Sequence, residues 1–169
     1  RGSLEEGYEG DTPATLIHGI FDHAEGELVP ELVNCPDWTR LHITIDDTPF
    51  KLVTQSPDPF HPPEGLVLGY ERRLHMDIGL LRRIVLFRAT TGNTVRMIFD
   101  RFASLDDVHL MVQRVHITAI DGTPKITISS ELDGNVTNHG VKHWGEMRAH
   151  QPQNDLIALS GKTAQSGYQ

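Results

Sequence analysis

Alternation of apolar and polar residues over residues 69–120 constrains this chain more than any other feature. Within each of three runs the apolar residues are separated by two positions or a multiple of two: Leu68, Tyr70, Leu74, Met76, Ile78 and Leu80; Val95, Met97 and Phe99; Val115, Ile117 and Ala119. Successive side chains of a strand point to opposite faces, so this period puts one face on a core. Thr91-Gly92-Asn93 and Asp121-Gly122 lie between the runs and favour tight reversals of the chain. The pattern predicts an antiparallel meander.

The rest of the chain extends this sheet. Alternation and turn residues predict further strands at residues 15–21, 41–46, 50–53, 125–132 and 156–159, and the second and third form a hairpin through residues 46–49. Residues 34–38, 55–65 and 133–153 are predicted loops, because prolines and glycines interrupt them. A change in the phase of alternation near Gln113 predicts a β-bulge or a twist. About eight short strands with frequent turns predict an all-β fold, an antiparallel twisted β-sandwich.

Composition excludes several classes of protein. At 169 residues and 18.9 kDa the chain suits one domain that buries its own core. Its single cysteine rules out an internal disulfide. A net charge of −8 repels a phosphate backbone, so no nucleic-acid partner is expected. No apolar run approaches the ~20 residues that span a bilayer, so we expect no membrane partner and a cytoplasmic location.

Three histidines in the loop over residues 133–153 raise the question of a metal site. His139 and His143 are four residues apart, a spacing that binds zinc on a helix, and His150 follows them. Gly140 and Gly145 argue against a helix, and no cysteine joins the set. We therefore interpret these residues as loop histidines and expect neither a metal nor a cofactor.

Acidic pairs and loop aromatics are the other candidates for chemistry. Asp46-Asp47 and Asp106-Asp107 are interpreted as turn residues. Neighbouring side chains on a strand point apart, so the two carboxylates of such a pair cannot act across one glycosidic bond. Glu5 and Glu6 lie in a Gly-flanked loop and suit the lining of a cleft. Cys35 has no neighbouring base and is interpreted as a small buried hydrophobe. Trp38 and Trp144 suit either stacking on sugar rings or capping of the core, and the residues alone leave both open.

Several stretches resemble the N-terminal domain of glycoside hydrolase family 65, which comprises maltose, trehalose and kojibiose phosphorylases and hydrolase relatives. Arg1-Gly-Ser-Leu-Glu-Glu-Gly7 resembles the end of the family's "NGxxGxRG" segment. Residues 31–38 resemble its "ELVNxPxW" motif, with Cys35 where an apolar residue is usual. Residues 70–83 match its "YxRxLxMxxGxLxR" strand pair, and further matches are Arg101-Phe102-x-Ser104 with His109-Leu110, and residues 132–138. The matches follow the family's order over nearly the whole chain.

The resemblance implies a galactose mutarotase-like super-sandwich over residues 1–169, followed in the intact enzyme by a catalytic (α/α)6 barrel. It implies that the acid residue and the phosphate-binding residues belong to the barrel, so this chain carries no catalytic residue and is inactive alone. The parent enzyme would cleave an α-linked glucose disaccharide by inverting phosphorolysis to β-glucose 1-phosphate, with inorganic phosphate as co-substrate, or by hydrolysis.

By position in the family, five residues are candidates for contact with the substrate cleft or the barrel: Arg1, Glu5, Glu6, Asn34 and Trp38. The resemblance also implies a homodimer. Because the chain begins without methionine and is short for the family's domain, we expect a truncated piece with strands missing.

Two alternatives belong to other classes of protein. One is a free-standing carbohydrate-binding β-sandwich without catalysis. The other is a self-contained aldose epimerase, which requires histidines and an acid on one concave sheet face; the candidates are His75, His109, His116 and Glu131. Fold alone does not decide between these functions.

Overall fold

The computed structural model describes residues 14–52 and 64–168, and these residues form eleven β-strands and no helix. The strands are β1 (Thr15–Asp22), β2 (Glu31–Cys35), β3 (Asp37–Ile45), β4 (Thr48–Pro49), β5 (Leu66–His75), β6 (Leu80–Arg88), β7 (Thr94–Ala103), β8 (Met111–Ala119), β9 (Ile126–Asp133), β10 (Trp144–Gln153) and β11 (Leu156–Thr163). They pair into antiparallel sheets, which confirms the predicted all-β fold class. In this part of the chain nothing has the length and apolar character of a membrane-crossing helix.

The chain divides into two compact units, each with its own internal contacts. Unit 1 comprises Arg1–Leu41 and Ser130–Gln169, and unit 2 comprises His42–Ser129. Unit 1 contains the two-stranded sheets β1-β2 and β10-β11, and unit 2 contains the four-stranded sheet β5-β6-β7-β8. The third sheet has the order β4-β3-β9, and its strands β3 and β9 contribute residues to both units. The prediction of one domain over residues 1–169 stays a prediction.

The predicted meander is the four-stranded sheet of unit 2. Its strands pair with their neighbours in sequence, as the alternation indicates. The turn between β5 and β6 falls inside the first alternating run and ends at Gly79, whose φ of 63° favours glycine. The bulge predicted near Gln113 is wrong, because β7 and β8 pair in unbroken register. The register instead shifts between Val67 and Gly69 in β5.

The core face of this sheet matches the alternation in its two inner strands. Val95 and Met97 of β7 and Val85 of β6 are fully buried. Tyr70 pairs with Val85 and therefore lies on the same face, yet it is exposed because β5 is an edge strand. Alternation thus predicts which face a residue occupies, but not whether a neighbouring layer covers it.

The hairpin predicted after β3 is present but short. Its turn residues Asp46 and Asp47 both have positive φ, of 49° and 62°, as a two-residue turn with both φ values positive requires. The strand predicted at residues 50–53 is wrong for Phe50, because β4 ends at Pro49 and Phe50 lies after it. Phe50 still donates its amide to the carbonyl of Ile43, and its ring lies edge-on against Phe87.

The loop predicted over residues 133–153 is also wrong in its second half, which is strand β10. Most of its side chains are exposed on both faces, so no apolar alternation marks it in the sequence. It pairs only with β11, and an edge strand tolerates Pro152, which has no N–H to donate.

Candidate functional site

The five candidate residues fall in two places. Arg1, Glu5 and Glu6 lie outside the described residues. Asn34 and Trp38 lie on strands β2 and β3, so the loop predicted over residues 34–38 is wrong. Proline at position 36 bends the chain between the two strands without the need for a longer connection.

Asn34 is only 5% exposed and acts as a junction between segments of unit 1. Its Oδ1 accepts a hydrogen bond from the amide of Thr15 (2.9 Å), and its Nδ2 donates to the carbonyl of Thr137 (3.1 Å). Its backbone amide donates to Oδ1 of Asn138 (2.8 Å), and its carbonyl accepts from Nε1 of Trp144 (2.8 Å). Asn34 therefore fixes the positions of other strands rather than presenting its amide to a ligand.

Asn138 also joins segments of unit 1, through hydrogen bonds to β2, the strand that contains Asn34. Its Nδ2 donates to the carbonyl of Leu32 (2.9 Å) and to Oε2 of Glu31 (3.0 Å). Its backbone exchanges two hydrogen bonds of 2.8 Å with Val141 across a tight turn. That turn contains His139, a non-glycine residue with a φ of 47°. The reciprocal asparagines thus lock β2 onto the segment before β10.

His143 lies at the centre of the same region, 1% exposed, between two carboxylates. Its Nε2 lies 2.8 Å from Oε1 of Glu31, and its Nδ1 lies 3.4 Å from Oδ2 of Asp22. Asp22 also accepts the backbone amides of Ser166 (2.7 Å) and Gln165 (3.3 Å). Only an imidazole that carries a proton on both nitrogens donates to both carboxylates. The cluster ties the end of β1 and the start of β2 to the segment after β11.

The two carboxylates remain ionised in this setting. Burial by itself would raise the pKa of Asp22, but hydrogen bonds from Ser166, Gln165 and His143 outweigh it and hold the pKa below 3.8. Hydrogen bonds from Asn138 and then His143 hold the pKa of Glu31 below 4.5. The cluster therefore joins the buried imidazole of His143 to one buried carboxylate, Asp22, and one half-exposed carboxylate, Glu31, an arrangement that fixes structure as readily as it performs chemistry.

The histidines considered for zinc do not converge. His143 is engaged by carboxylates, whereas His139 and His150 are exposed. In the ranges that the structure describes, no three His, Cys, Asp or Glu side chains are grouped to hold a metal ion.

The remaining candidates have structural roles. Trp144 is buried against Val33 and Cys35, so it belongs to the core of unit 1 and its ring cannot stack on a sugar. Cys35 is 2% exposed within this core, which confirms its interpretation as a small buried hydrophobe, and burial raises the pKa of its thiol. Trp38 is half-buried, so part of its ring stays available for contact.

The four epimerase candidates lie on different elements. His75 and His116 are on β5 and β8, the two edge strands of the four-stranded sheet, His109 lies between β7 and β8, and Glu131 lies on β9. Three strand spacings, about 14 Å, separate β5 from β8. The epimerase alternative stays a hypothesis.

Sequence reasoning missed the partners of His143. Asp22 and His143 are 121 positions apart, and Glu31 and His143 are 112 apart. No local period marks such a contact. The signal that was available is Asn138, the last residue of a stretch that resembles family 65.

The whole length of this chain matches a known protein family. Residues 1–169 match the family described as "Glycosyl hydrolase family 65, N-terminal domain". The chain is 31% identical to a kojibiose phosphorylase of Halothermothrix orenii over 167 residues, which is 99% of this chain and 20% of that protein. It is 30% identical to a kojibiose phosphorylase of Escherichia coli over 86% of this chain and 18% of that protein.

An alpha,alpha-trehalose phosphorylase of Geobacillus stearothermophilus is 27% identical over 82% of this chain and 19% of its own length. The chain thus spans about a fifth of the length of the curated relatives it matches. The match over every residue and the identity to several phosphorylases show that this chain belongs to the N-terminal domain family of glycosyl hydrolase family 65.

Proposed function

We propose that this chain is the non-catalytic N-terminal domain of a phosphorylase that acts on an α-linked glucose disaccharide. Its work is to support the catalytic (α/α)6 barrel, to shape the mouth of the substrate cleft and to take part in a homodimer. The observation that carries the proposal is that phosphorylases about five times as long align with 82–99% of this chain.

The reaction of the longer polypeptide is inverting phosphorolysis. Inorganic phosphate attacks the anomeric carbon, the glycosidic oxygen leaves with a proton from an acid residue of the barrel, and β-glucose 1-phosphate forms. Phosphate is a co-substrate, and no other cofactor is required. The reaction takes place in the cytoplasm, where the one buried cysteine stays reduced.

The geometry of unit 1 supports a positioning role for this domain. Asn34 fixes the backbone at the end of β2, and Trp38 follows at the start of β3 with part of its ring uncovered. Trp38 therefore makes the contact with the cleft or barrel, and Asn34 holds it in place through the backbone. Arg1, Glu5 and Glu6 complete the set of proposed contacts.

The test is an assay of the longer polypeptide that contains this chain. The purified protein is incubated with kojibiose, trehalose or maltose, with and without inorganic phosphate, and β-glucose 1-phosphate and free glucose are measured. We expect one disaccharide to yield equal amounts of both products only when phosphate is present. Release of glucose alone, independent of phosphate, would assign the protein to the hydrolases, and cleavage of none of the three would overturn the proposal.

A further inference from the structure

The four-stranded sheet of unit 2 has two faces of different chemistry. Directly paired residues lie on the same face of a sheet, and the pairing of β5 to β8 therefore sorts their side chains. One face carries the buried core, including Val85, Met97 and Phe99. The other face, which we call the arginine face, carries the charged side chains Glu71, Arg73, Arg82, Arg88, Arg96, Asp100 and Arg114.

The charge of the arginine face is opposite to that of the chain. Five arginines against two carboxylates leave it a net +3, whereas the whole chain carries −8. An exposed positive surface on an acidic chain favours a partner of the other sign.

An ordered ion-pair cluster lies at the middle of this face. Asp100 is only 4% exposed because two arginines cover it. Arg82 contacts it in the bidentate manner, with Nε 2.7 Å from Oδ1 and Nη2 2.8 Å from Oδ2. Arg114 donates from Nη2 to the same Oδ2 and keeps most of its guanidinium in solvent. The cluster therefore presents oriented guanidinium donors to whatever approaches the sheet.

An apolar hollow of about 380 Å³ adjoins the cluster. Ile78, Leu80, Phe102 and Val112 line it on one side, and Asp100 and Arg114 line it on the other. Ile78 is 66% exposed and Phe102 is 38% exposed. Exposed apolar side chains bordered by arginine are the usual composition of a protein–protein interface.

Resting on the function proposed above, we propose that the arginine face docks the catalytic part of the same polypeptide, through an acidic patch that inserts an apolar side chain into this hollow. Charge complementarity requires an acidic partner. The longer relatives leave about four-fifths of their length outside the matched region, which is ample chain to supply one.

Two other occupants fit less well. A second copy placed symmetrically would bring two faces of net +3 together, and like charges oppose that contact. Nucleic acid would meet the apolar hollow with a charged backbone, and the chain as a whole repels it.

Hydroxyl-radical footprinting of the longer polypeptide tests the docking. Phe21, on β1 of unit 1, is 40% exposed and serves as the reference for Phe102. We expect Phe102 to be labelled several-fold less than its exposure here implies. Ile78→Asp and Arg96→Glu should each restore its labelling at least twofold and leave Phe21 unchanged. Both substituted side chains are exposed, so the domain itself should stay folded.

Matched controls separate docking from general damage. Leu28→Asp and Arg148→Glu alter exposed side chains of unit 1 and should leave Phe102 protected. Arg96→Lys keeps the charge and should also keep the protection. Full labelling of Phe102 in the unaltered longer protein would overturn the docking, and so would protection that disappears on dilution to the monomer, which would assign the face to a second copy.

The outcomes for docking and for activity are independent. If the protein catalyses phosphorolysis while Phe102 is fully labelled, only the docking proposal is overturned. A protected Phe102 in a protein without phosphorolysis would support the docking and overturn the proposed reaction.

Discussion

At the scale of single residues, His143 is the side chain whose loss should cost unit 1 most. It is buried between Asp22 and Glu31, and no other residue replaces it as a donor to both carboxylates in the described part of the chain. Removal of this buried ring leaves a cavity and takes one hydrogen-bond partner from Asp22, which keeps only the amides of Ser166 and Gln165 among its described partners.

We therefore expect His143→Ala to lower the free energy of unfolding by about 3 kcal/mol, from the cavity and the lost hydrogen bonds together. His150→Ala, which alters an exposed histidine on β10, should change it by less than about 0.5 kcal/mol. Urea unfolding of both variants measures the difference. Equal midpoints for the two variants would contradict the structural role of the cluster.

Asp100 makes stability depend on acid pH. Hydrogen bonds from Arg82, set against burial and reinforced by Arg114, lower the pKa of Asp100 from 3.8 to about 2. The folded state thus binds the proton more weakly than the unfolded state. The stabilisation is complete above the unfolded value of 3.8 and is lost as pH falls through about 2.

The expected result is a fall of about 2 kcal/mol in the free energy of unfolding between about pH 5 and pH 2, part of which Asp100→Asn removes. Asp22 and Glu31, whose pKa values are also lowered, contribute in the same direction and remain in that variant. Asp106→Asn, at an exposed position, should leave the slope unchanged. An Asp100→Asn protein with the full acid slope would show that the arginines do not stabilise the ionised carboxylate.

At the scale of elements, the turn between β3 and β4 contains two aspartates with opposite roles. Asp46 accepts hydrogen bonds from Thr91 (2.7 Å), Asn93 (2.6 Å) and the amide of Lys125 (2.8 Å). Among the residues that the structure describes, Asp47 makes only an exposed ion pair with Lys125, at 3.6 Å, a contact that contributes little. Both residues have positive φ, which glycine adopts without strain.

Replacement by glycine should therefore act in opposite directions at the two positions. Asp47→Gly should raise the free energy of unfolding by up to about 1 kcal/mol, because it relieves a left-handed backbone. Asp46→Gly should lower it by about 2 kcal/mol, because three donors lose their acceptor. Thermal denaturation of the pair gives the answer, and two variants that shift Tm the same way would show that the hydrogen bonds of Asp46 do not matter.

Some of the strands and turns follow from local patterns in the sequence, and others do not. The strands β3, β7 and β9 alternate regularly, and the turn residues between them are specific, so their positions follow from local patterns. Strand β10 has no covered face and hence no period to detect. The contacts of Asn34 and His143 join positions more than 100 apart, and only the fold brings those positions together. Residue type therefore predicted the fold class but not the polar network.

At the scale of the whole molecule, substitution of Trp38 should change activity, whereas substitution of Asn34 should change stability. In the longer polypeptide, Trp38→Ala should reduce kcat/KM for the disaccharide by about tenfold, because an aromatic contact is worth about 1.4 kcal/mol. Asn34→Ala should instead lower the free energy of unfolding by about 2 kcal/mol, since it breaks two buried hydrogen bonds.

Initial rates and urea unfolding of both variants distinguish the two effects. Phe21→Ala, which alters an aromatic residue on β1, is the control and should leave kcat/KM unchanged. A Trp38→Ala enzyme with unaltered kcat/KM would remove Trp38 from the proposed contacts.

The distance along the chain between bonded residues also sets the order in which the two units form. The strands β5 to β8 pair with their sequence neighbours. In contrast, the amide of Asn34 donates to Asn138, 104 positions later, and Asp22 accepts the amide of Ser166, 144 positions later. Long loops close slowly, so in refolding the amides of β6 and β7 should become protected from exchange before those of Asn34, Gln165 and Ser166, whose acceptors lie more than 100 positions away. During synthesis the same delay leaves Asn34 and Asp22 without these distant partners until residue 166 has left the ribosome. Among the described strands, β1 and β2 thus wait longest for their full set of contacts, and chaperones have the most time to bind them.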